Sequence, residues 1–398
     1  MSRALNIALI GSKFMGRAHS NAWGAVNRFF DLPRQAVLHT VCARNGADTE
    51  AFARRWGWSN WTTDFHALLR DKDIHLIDIG TPNHVHREQA YAALEAGKHV
   101  CCEKPLAGTL DDARAMRDMA LRCRRHGQQT FVWFNYRRCP ATALAHQLVA
   151  EGRLGRIFHV RACYLQDWGG PDTPLLWRFQ SKLAGSGAHG DLNAHIIDLA
   201  RFITGDEIIE VVGAIEETFI RQRDIVESAG GEISGKGAAK SKARKGRSDV
   251  DDAVLFLTRF KNGAVGSFEA TRLATGNQNR NTIEVNGEKG SIRFDFERMN
   301  ELEWWDNTLE PRVRGWSRIM CTTGGAHPYA EAYWPPAHLI GYEHCFTSMA
   351  ADIIRLISDK KPVVPMPDFD DAYQTQRVLH AAILSARERA AVRLSEVK

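Results

Sequence analysis

The chain has 398 residues, of which 44% are hydrophobic and 25% are charged, and its formal net charge at pH 7 is +5. This length is enough for two domains that each bury a core, and the composition is that of a globular protein rather than a disordered or fibrous one. No apolar run is long enough to span a bilayer, so we expect no membrane-spanning segment.

The amino terminus and the cysteines predict a cytoplasmic protein. An apolar run at residues 5–11 begins immediately after residues 1–4, which leaves no room for a signal peptide and is typical of a first strand. The eight cysteines include no CxxC pair and no spacing typical of zinc ligands. We therefore expect neither a disulfide framework nor a metal site.

The positive charge is concentrated in one segment that is rich in glycine, serine, alanine and lysine. Its cations are Lys236, Lys240, Lys242, Arg244, Lys245 and Arg247, with no acidic residue between them. Without these six the rest of the chain is close to neutral. The segment lies in a predicted flexible, solubilising insertion at about residues 222–249, and we expect no nucleic-acid partner.

Residues 1–135 alternate between strand and helix patterns. Strands are predicted at residues 6–11, 36–43, 74–80, 99–102 and 129–135. Helices are predicted at residues 15–30, 48–56, 83–96 and 109–126, the last beginning at a capping box of Thr109 and Asp112. This alternation predicts an N-terminal Rossmann domain of α/β class, a doubly wound parallel sheet with right-handed crossovers.

Residues 136–398 have a different pattern, which predicts a second domain of α+β class. Helices are predicted at residues 141–151, 191–204 and 338–359, and a strand at 157–165. Further β-rich stretches occupy residues 208–218, 253–260, 264–272, 281–286, 291–296 and 301–305. Turn signals at Asn262-Gly263 and Asn286-Gly287 indicate a large, mostly antiparallel open sheet. Its free face is the expected interface of a homodimer or homotetramer.

The first predicted turn is typical of a dinucleotide site. Residues 11–16, Gly-Ser-Lys-Phe-Met-Gly, follow a strand and open a helix, which is the context of the G-x-G-x-x-G fingerprint. Lys13 replaces the middle glycine, a change that is tolerable if its side chain turns outward or contacts a phosphate. After the second strand there is no carboxylate for a ribose hydroxyl, whereas Arg44 suits the 2′-phosphate of NADP. The cofactor is thus NAD(P), with NADP favoured; a solvated Arg44 would leave NAD as the alternative.

Two further segments combine residue types used in proton transfer. Lys104, between Glu103 and Pro105, follows the apolar run at residues 99–102, and loops after such strands bind ligands in open α/β sheets. Asp191 and His195 are spaced i, i+4 and share one face of a predicted helix. Each pattern alone is more often structural than catalytic. No further ligand cluster supports a zinc site at the Asp/His pair.

Together these motifs resemble the Gfo/Idh/MocA oxidoreductase family over nearly the whole chain. The resemblance rests on residues 15–19 (MGRAH), 81–84 (TPNH), 103–105 (EKP), 187–195, 334–335 (WP) and 341–343 (GYE). Residues 134–138, 164–168 and 177–180 look like the levoglucosan dehydrogenase and glycoside dehydrogenase branch. The resemblance implies that Lys104, Asp191 and His195 are catalytic. Lys104 and His195 are expected on either side of a reacting hydroxyl, with the choice of base left open and Asp191 orienting or charging its neighbour.

The remaining candidates form a cofactor group and a substrate group. The cofactor group is Gly11, Lys13, Phe14, Met15, Arg44, Thr81, Pro82, Asn83, His86, Glu103, Trp177 and Arg178. The substrate group offers polar partners for sugar hydroxyls and an aromatic face for pyranose C–H bonds, and comprises Asn135, Arg137, Gln166, Asp167, Trp168 and His338. The alternatives are an ion pair for Arg137, core packing for Trp168, capping or packing at a helix start for His86, and a helix cap for His338.

The expected function is an NAD(P)-dependent sugar dehydrogenase that oxidises a secondary hydroxyl of a pyranose or glycoside, with C3 as the expected position. The alternatives are an inositol or polyol dehydrogenase, a keto-sugar reductase, and a glycosidase that oxidises transiently with retained NAD. A non-enzymatic sugar or dinucleotide sensor is the last alternative, and the presence of the full catalytic set weighs against it.

Overall fold

The computed structural model describes residues 3–226 and 244–397, with the backbone alone for Arg3. The chain divides into two compact units, the first comprising Met1–Arg138 and Ile340–Tyr373, the second Cys139–Leu339 and Gln374–Lys398. The segment Ile340–Tyr373, which the sequence pattern places in the second domain, therefore belongs to the first unit. Within the described ranges, none of the helices combines the length and the hydropathy needed to cross a membrane.

The first unit contains a six-stranded parallel sheet of order β3-β2-β1-β4-β5-β6. Its strands are β1 Arg3–Ile10, β2 Arg34–Cys42, β3 Asn60–Thr62, β4 Leu76–Ile79, β5 His99–Cys102 and β6 Thr130–Val132. The intervening helices are α1 Phe14–Phe29, α2 Gly46–Trp56, α3 Phe65–Arg70, α4 His86–Glu95 and α5 Leu110–Arg124. The predicted doubly wound parallel sheet is confirmed.

Local capping decides where these helices begin. Asn45 accepts a hydrogen bond from the Asp48 amide at 3.1 Å, so α2 starts at Gly46, two residues before the predicted start. Thr109 caps α5 as predicted, with its hydroxyl accepting from the Asp112 amide at 3.1 Å. Strand β3 and helix α3 are absent from the prediction because each is short, with three and six residues.

The second unit is built on a nine-stranded sheet of order β16-β15-β14-β13-β7-β12-β11-β8-β17. Its first elements are α6 Pro140–Ala150, β7 Ile157–Leu165, α7 Ser181–Ala184, a π-helical turn His189–Asn193 and α8 Ala194–Thr204. The strands that follow are β8 Ile208–Glu217, β9 Gln222–Asp224, β10 Lys245–Arg247, β11 Ala253–Phe260, β12 Val265–Thr271, β13 Arg280–Gly287, β14 Gly290–Asp295, β15 Glu301–Asp306 and β16 Trp316–Met320. Only β7 and β12 pair in parallel among the described strands of this sheet, which confirms the mostly antiparallel prediction.

The last elements are α9 Tyr342–Ile357, α10 Phe369–Glu388 and β17 Val392–Arg393. Helix α9 belongs to the first unit and packs on α1, where the ring of Phe346 lies 5.7 Å from that of His19. The helix predicted at residues 338–359 begins later in the structure, at Tyr342. Helix α10 is absent from the prediction.

The predicted basic insertion begins and ends in a two-stranded stem. β9 and β10 pair antiparallel, with Arg223 opposite Gly246. Arg244, Lys245 and Arg247 are exposed on this stem. Lys236, Lys240 and Lys242, on which the prediction of a flexible loop mainly rests, lie outside the described residues.

Candidate active site

The turn between β1 and α1 can form only with glycine at two positions. Gly11 has φ +112°, and a Cβ there would lie 2.7 Å from the Gly80 carbonyl oxygen. A Cβ on Gly16 would lie 2.4 Å from the Gly11 carbonyl oxygen. Lys13, at the middle position of the fingerprint, is exposed and precedes the helix. The turn thus offers bare backbone at a helix N-terminus, which fits the pyrophosphate of a dinucleotide.

Other cofactor candidates surround this turn. Phe14 and Met15 form the first turn of α1, and the Phe14 ring stacks on Tyr342 with centroids 6.4 Å apart. Arg44 is exposed just after β2, the strand next to β1. This is the position from which a side chain meets the adenosine ribose in such sheets.

His86 joins the loop after β4 to the loop after β5. The Thr81 hydroxyl donates to Gln89 at 2.7 Å, and Pro82 leads into a short 3-10 turn at Asn83–Val85. The His86 ring is fully buried, with Nε2 2.9 Å from the Thr81 carbonyl oxygen and Nδ1 3.2 Å from that of Leu106. Burial lowers the pKa of His86. These contacts fit the packing role that is the alternative to cofactor binding for His86.

Lys104 lies half-buried at the end of β5, beside a glutamate that points into the core. The Glu103 carboxylate accepts a hydrogen bond from the Lys104 amide at 3.0 Å and lies 3.0 Å from His19 Nε2. The Glu103 amide in turn donates to the Ile79 carbonyl at 2.9 Å, which extends the pairing of β4 and β5. The peptide bond between Lys104 and Pro105 is cis. The contacts of Glu103 thus hold the backbone on the amino-terminal side of Lys104.

A buried cluster of one histidine and two carboxylates lies behind this loop. His19 Nδ1 is 3.1 Å from Asp78, whose carboxylate also accepts hydrogen bonds from the indoles of Trp23 at 2.7 Å and Trp133 at 2.8 Å. Burial lowers the pKa of His19, but its attraction and hydrogen bonds to Asp78 and Glu103 outweigh burial and raise the pKa to about 9. His19 is therefore a cation near neutral pH. Sequence reasoning missed this cluster, for which the one local signal was a carboxylate inside the apolar strand β4.

Two substrate candidates follow β6 in the first unit. Asn135 is buried, and its amide nitrogen has no hydrogen-bond partner among residues 3–226 and 244–397. A buried donor of this kind is usually satisfied by a water or a ligand. Arg137 is buried and forms an ion pair with Asp371, which is the alternative to substrate binding given for it above.

The Asp/His helix of the second unit is anchored at its start by Asp251. The Asp251 carboxylate accepts hydrogen bonds from the amides of Gly187 and His189, each at 2.7 Å. A Cβ on Gly187 would lie 1.8 Å from the Asp251 carbonyl oxygen, so this turn requires glycine. The π-helical turn then carries Asp191, and His195 lies in the first turn of α8.

Both His195 and Asp191 contact another side chain of the second unit. His195 is buried, and its ring lies 5.8 Å from that of Tyr164. Asp191 accepts a 2.7 Å hydrogen bond from Arg272, whose side chain is 2% exposed. Sequence reasoning missed Arg272, because an arginine that ends a strand carries no local sign of a partner far away along the chain.

The substrate candidates after β7 belong to one hydrogen-bonded chain. The Trp168 indole donates to Gln166 at 2.6 Å, and the Gln166 amide donates to Asn279 at 2.8 Å. Asn279 also accepts from the Tyr164 hydroxyl at 2.7 Å. Asp167 is exposed and accepts from the Gly276 amide at 3.3 Å. The aromatic ring beside His195 and the indole of Trp168 are therefore held through the same asparagine.

The three remaining candidates are placed separately. Trp177 and Arg178 form a short 3-10 turn in which the Arg178 guanidinium lies 4.5 Å from the Trp177 ring centroid. His338 is exposed, with Nδ1 3.1 Å from the Pro335 carbonyl oxygen. It does not cap the helix that follows, since the Gly341 amide donates to His344 instead.

The structure thus gathers the candidates into two sets. The first unit holds the glycine turn, Lys104, Asn135 and Arg137; the second holds Asp191, His195, Gln166, Asp167, Trp168, Trp177, Arg178 and His338. Over the described ranges, no group of three or more His, Cys, Asp or Glu is arranged to hold a metal ion.

Comparisons with known proteins identify the family of the chain. Residues 5–134 match the model of an oxidoreductase family with an NAD-binding Rossmann fold, and residues 142–293 match that of the GFO/IDH/MocA C-terminal domain. Levoglucosan dehydrogenase of Pseudarthrobacter phenanthrenivorans is 42% identical over 396 residues, which cover 99% of each chain.

Two solved structures are similar over almost the whole length. An oxidoreductase domain protein from Kribbella flavida shares 47% identity with a TM-score of 0.91, covering 98% of this chain and 99% of that one. A levoglucosan dehydrogenase in complex with NADH and levoglucosan shares 41% identity with a TM-score of 0.90, covering 99% of this chain and all of that one. With both halves matched in sequence and in fold, this chain belongs to the Gfo/Idh/MocA family of NAD-binding oxidoreductases.

Proposed function

We propose that the protein is an NAD(P)-dependent dehydrogenase that oxidises a secondary hydroxyl of a pyranose or glycoside. One observation carries the proposal: the acidic member of the Asp/His pair is held by a buried arginine beside an aromatic ring suited to sugars. The 42% identity to a levoglucosan dehydrogenase over 99% of each chain supports the same substrate class.

Proton transfer is assigned to Lys104, Asp191 and His195. When bound, the nicotinamide of the cofactor accepts a hydride from the substrate carbon. The chain supplies the base that removes the hydroxyl proton, and both the Lys104 amine and the His195 imidazole are chemically suited to this step. Asp191, which Arg272 holds, orients or charges its neighbour in the set.

Sugar binding is assigned to the hydrogen-bonded chain after β7 and to Asn135. The indole of Trp168 offers a flat apolar face for the C–H side of a pyranose ring, and its edge is fixed by Gln166. The unpaired amide nitrogen of Asn135 is a donor for a hydroxyl. We propose C3 as the oxidised position, which identification of the keto-sugar product tests.

The choice between NAD and NADP rests on two opposing observations. The solved relative binds NADH, which supports NAD(H). The exposed Arg44 after β2, without a carboxylate beside it, supports binding of the 2′-phosphate of NADP. We therefore propose NAD(P) as the cofactor, with Arg44 as the residue that decides how well NADP is accepted.

A screen of pyranoses, glycosides and inositols tests the function, with absorbance of the reduced cofactor followed separately for NAD and NADP. We expect reduction of the cofactor with at least one pyranose or glycoside. Turnover of inositols alone would identify a polyol dehydrogenase, and turnover of keto-sugars by the reduced cofactor would identify a reductase. No signal from any compound would contradict the proposal and favour a sensor or a glycosidase with retained NAD.

We also propose that two copies associate through the free face of the nine-stranded sheet. Ile215 of β8 and Leu255 of β11 face each other across the strands and are 65% and 38% exposed. Leu257, two residues further along β11, is 55% exposed. An exposed apolar stripe of this kind is typical of an oligomer interface. Light scattering of Leu257→Glu tests the proposal, since a mass unchanged from that of an oligomeric wild type would contradict it.

The cysteines support a reducing compartment, and we propose a cytoplasmic location. All eight cysteines are free thiols in the structure, and those whose environment shifts their pKa have it raised by burial, as for Cys321 to about 12. Cell fractionation with an antibody to the native protein tests this location.

A further inference from the structure

We infer that Arg272 is a positioning residue of the proposed reaction, because its one buried guanidinium fixes both the Asp191 carboxylate and the Trp168 indole. The inference rests on the proposed function, which assigns Asp191 to proton transfer and Trp168 to sugar binding. Arg272 itself lies behind both side chains, with only 2% of its own side chain exposed.

The backbone of Arg272 is hydrogen-bonded to two other loops. The residue directly follows β12, its amide donates to the Asp252 carbonyl at 3.3 Å, and its carbonyl accepts from the Gly169 amide at 3.0 Å. A Cβ on Gly169 would lie 2.7 Å from the Arg272 Cβ, so only glycine allows the loop after β7 to lie this close. These contacts therefore fix the position of the backbone that carries the guanidinium.

The side chain contacts both a carboxylate and two aromatic rings. Nη2 donates to Asp191 Oδ2 at 2.7 Å, and Nη1 reaches the Arg178 carbonyl at 3.4 Å. The guanidinium also lies over two rings, with Cζ 4.9 Å from the ring centroid of Trp168 and 5.8 Å from that of Phe179. A guanidinium combines in-plane donors with a planar face that can stack, whereas lysine offers only a point charge.

A second buried ion pair lies beside the pair of Arg272 and Asp191. Arg223, also buried, lies with Cζ 3.7 Å from the Phe179 ring and pairs with Asp252 at 3.4 Å. Burial lowers the pKa of Arg223, the attraction of Asp252 opposes this, and the positive charge of Arg272 lowers the pKa further. Two buried guanidiniums, each paired with a carboxylate, thus lie against the same Phe179 ring. Arg272 offers Asp191 a positive partner as well as a fixed orientation.

The exposed fractions of Asp191 and Trp168 distinguish a positioning role of Arg272 from a packing role. The Asp191 side chain is 23% exposed and Trp168 is partly exposed, so each presents a surface to a ligand while Arg272 does not. The indole of Trp168 is held at its edge by Gln166 and on its face by Arg272. Loss of Arg272 should therefore affect kcat through Asp191 and KM through Trp168.

Steady-state kinetics of the full-length holoenzyme test this inference in three variants. Arg272→Met removes the charge and the hydrogen bonds, and should lower kcat about 100-fold, the usual scale for a misplaced catalytic group. Arg272→Lys keeps the charge but loses the stacking face, and should restore most of kcat while KM stays raised. Arg223→Lys is the matched control: it perturbs a buried arginine on the same phenyl ring but bonded to Asp252, and should lower Tm with kcat within about threefold of wild type.

The results distinguish a failure of the inference about Arg272 from a failure of the proposed function. Equal losses of Tm in Arg272→Lys and Arg223→Lys, with kcat and KM of both close to wild type, would make Arg272 a purely structural residue and overturn the inference. A wild-type enzyme that oxidises no sugar in the same assay would contradict the proposed function, and the inference would fall with it. If Arg272→Met does not fold, the comparison of the two lysine variants still decides the outcome.

Discussion

The imidazole of His19 lies 3.0 Å from the carboxylate of Glu103, the residue that directly precedes Lys104. The same carboxylate accepts a hydrogen bond from the Lys104 amide, also at 3.0 Å. On its other side His19 meets Asp78 at 3.1 Å. A buried cation between two carboxylates thus connects the middle of the parallel sheet to the loop that carries the proposed catalytic lysine.

Replacement of His19 by glutamine should lower both stability and turnover. Glutamine can hydrogen-bond to Glu103 but is neutral, so two carboxylates are left buried without a counter-charge. Removal of one partner from a buried ion pair costs about 3–5 kcal/mol. Urea unfolding measures the loss, and kcat measures the effect on Lys104. His39→Gln, whose ring is 3.9 Å from Asp71 at a partly exposed site, is the control and should be near neutral.

The pH dependence of stability should identify the same ion cluster. The pKa of His19 is raised from 6.5 to about 9 in the folded state, so its contribution is complete below about pH 6.5 and is lost as the pH rises through 9. The shift corresponds to about 3 kcal/mol. The difference in unfolding free energy between wild type and His19→Gln, measured from pH 6 to pH 10, should therefore shrink over that range. A difference independent of pH would show that His19 is not charged in the fold.

Local sequence patterns were sufficient to predict the fold class of the molecule. The strands of the first unit can be predicted from the sequence because parallel strands such as β4 and β5 are buried on both faces and appear as continuous apolar runs. Gly11 and Gly16 could also be identified, since the turn excludes any Cβ at those positions. Helix α10 carried a usable signal as well: the Asp371 amide donates to Asp368 at its start, a cap that the prediction did not use.

The supports of the candidate site could not be predicted from the sequence. His19 and Glu103 are 84 positions apart, and Arg272 and Asp191 are 81 positions apart. Neither helical nor strand periodicity relates residues at such separations, because only the tertiary fold brings them together. The motifs therefore predicted which groups react, whereas the structure was needed to find the groups that hold them.

Substitution of Arg44 should change the preference between the two cofactors. If its guanidinium binds the 2′-phosphate, Arg44→Ala should raise KM for NADP about tenfold or more, because charged hydrogen bonds to phosphate are strong, and leave KM for NAD nearly unchanged. Kinetics with each cofactor, at saturating sugar, measure the ratio. Arg54→Ala, an exposed arginine paired with Glu50 on α2, is the control. An unchanged ratio in Arg44→Ala would leave the exposed side chain without a role in cofactor choice.

Replacement of Lys104 by methionine should abolish turnover without loss of cofactor binding. Methionine has a similar length and keeps the half-buried packing, but it cannot exchange a proton. Loss of a general base or acid lowers the rate about 10²–10⁴-fold. The Glu103 contacts use its carboxylate and the backbone amide of residue 104, so the loop and the glycine turn should persist. Fluorescence titration with the reduced cofactor should give a Kd close to wild type, as should Lys72→Met at an exposed position of the same unit. Near wild-type turnover in Lys104→Met, with His195→Asn inactive, would move the role of the base from the lysine to the histidine.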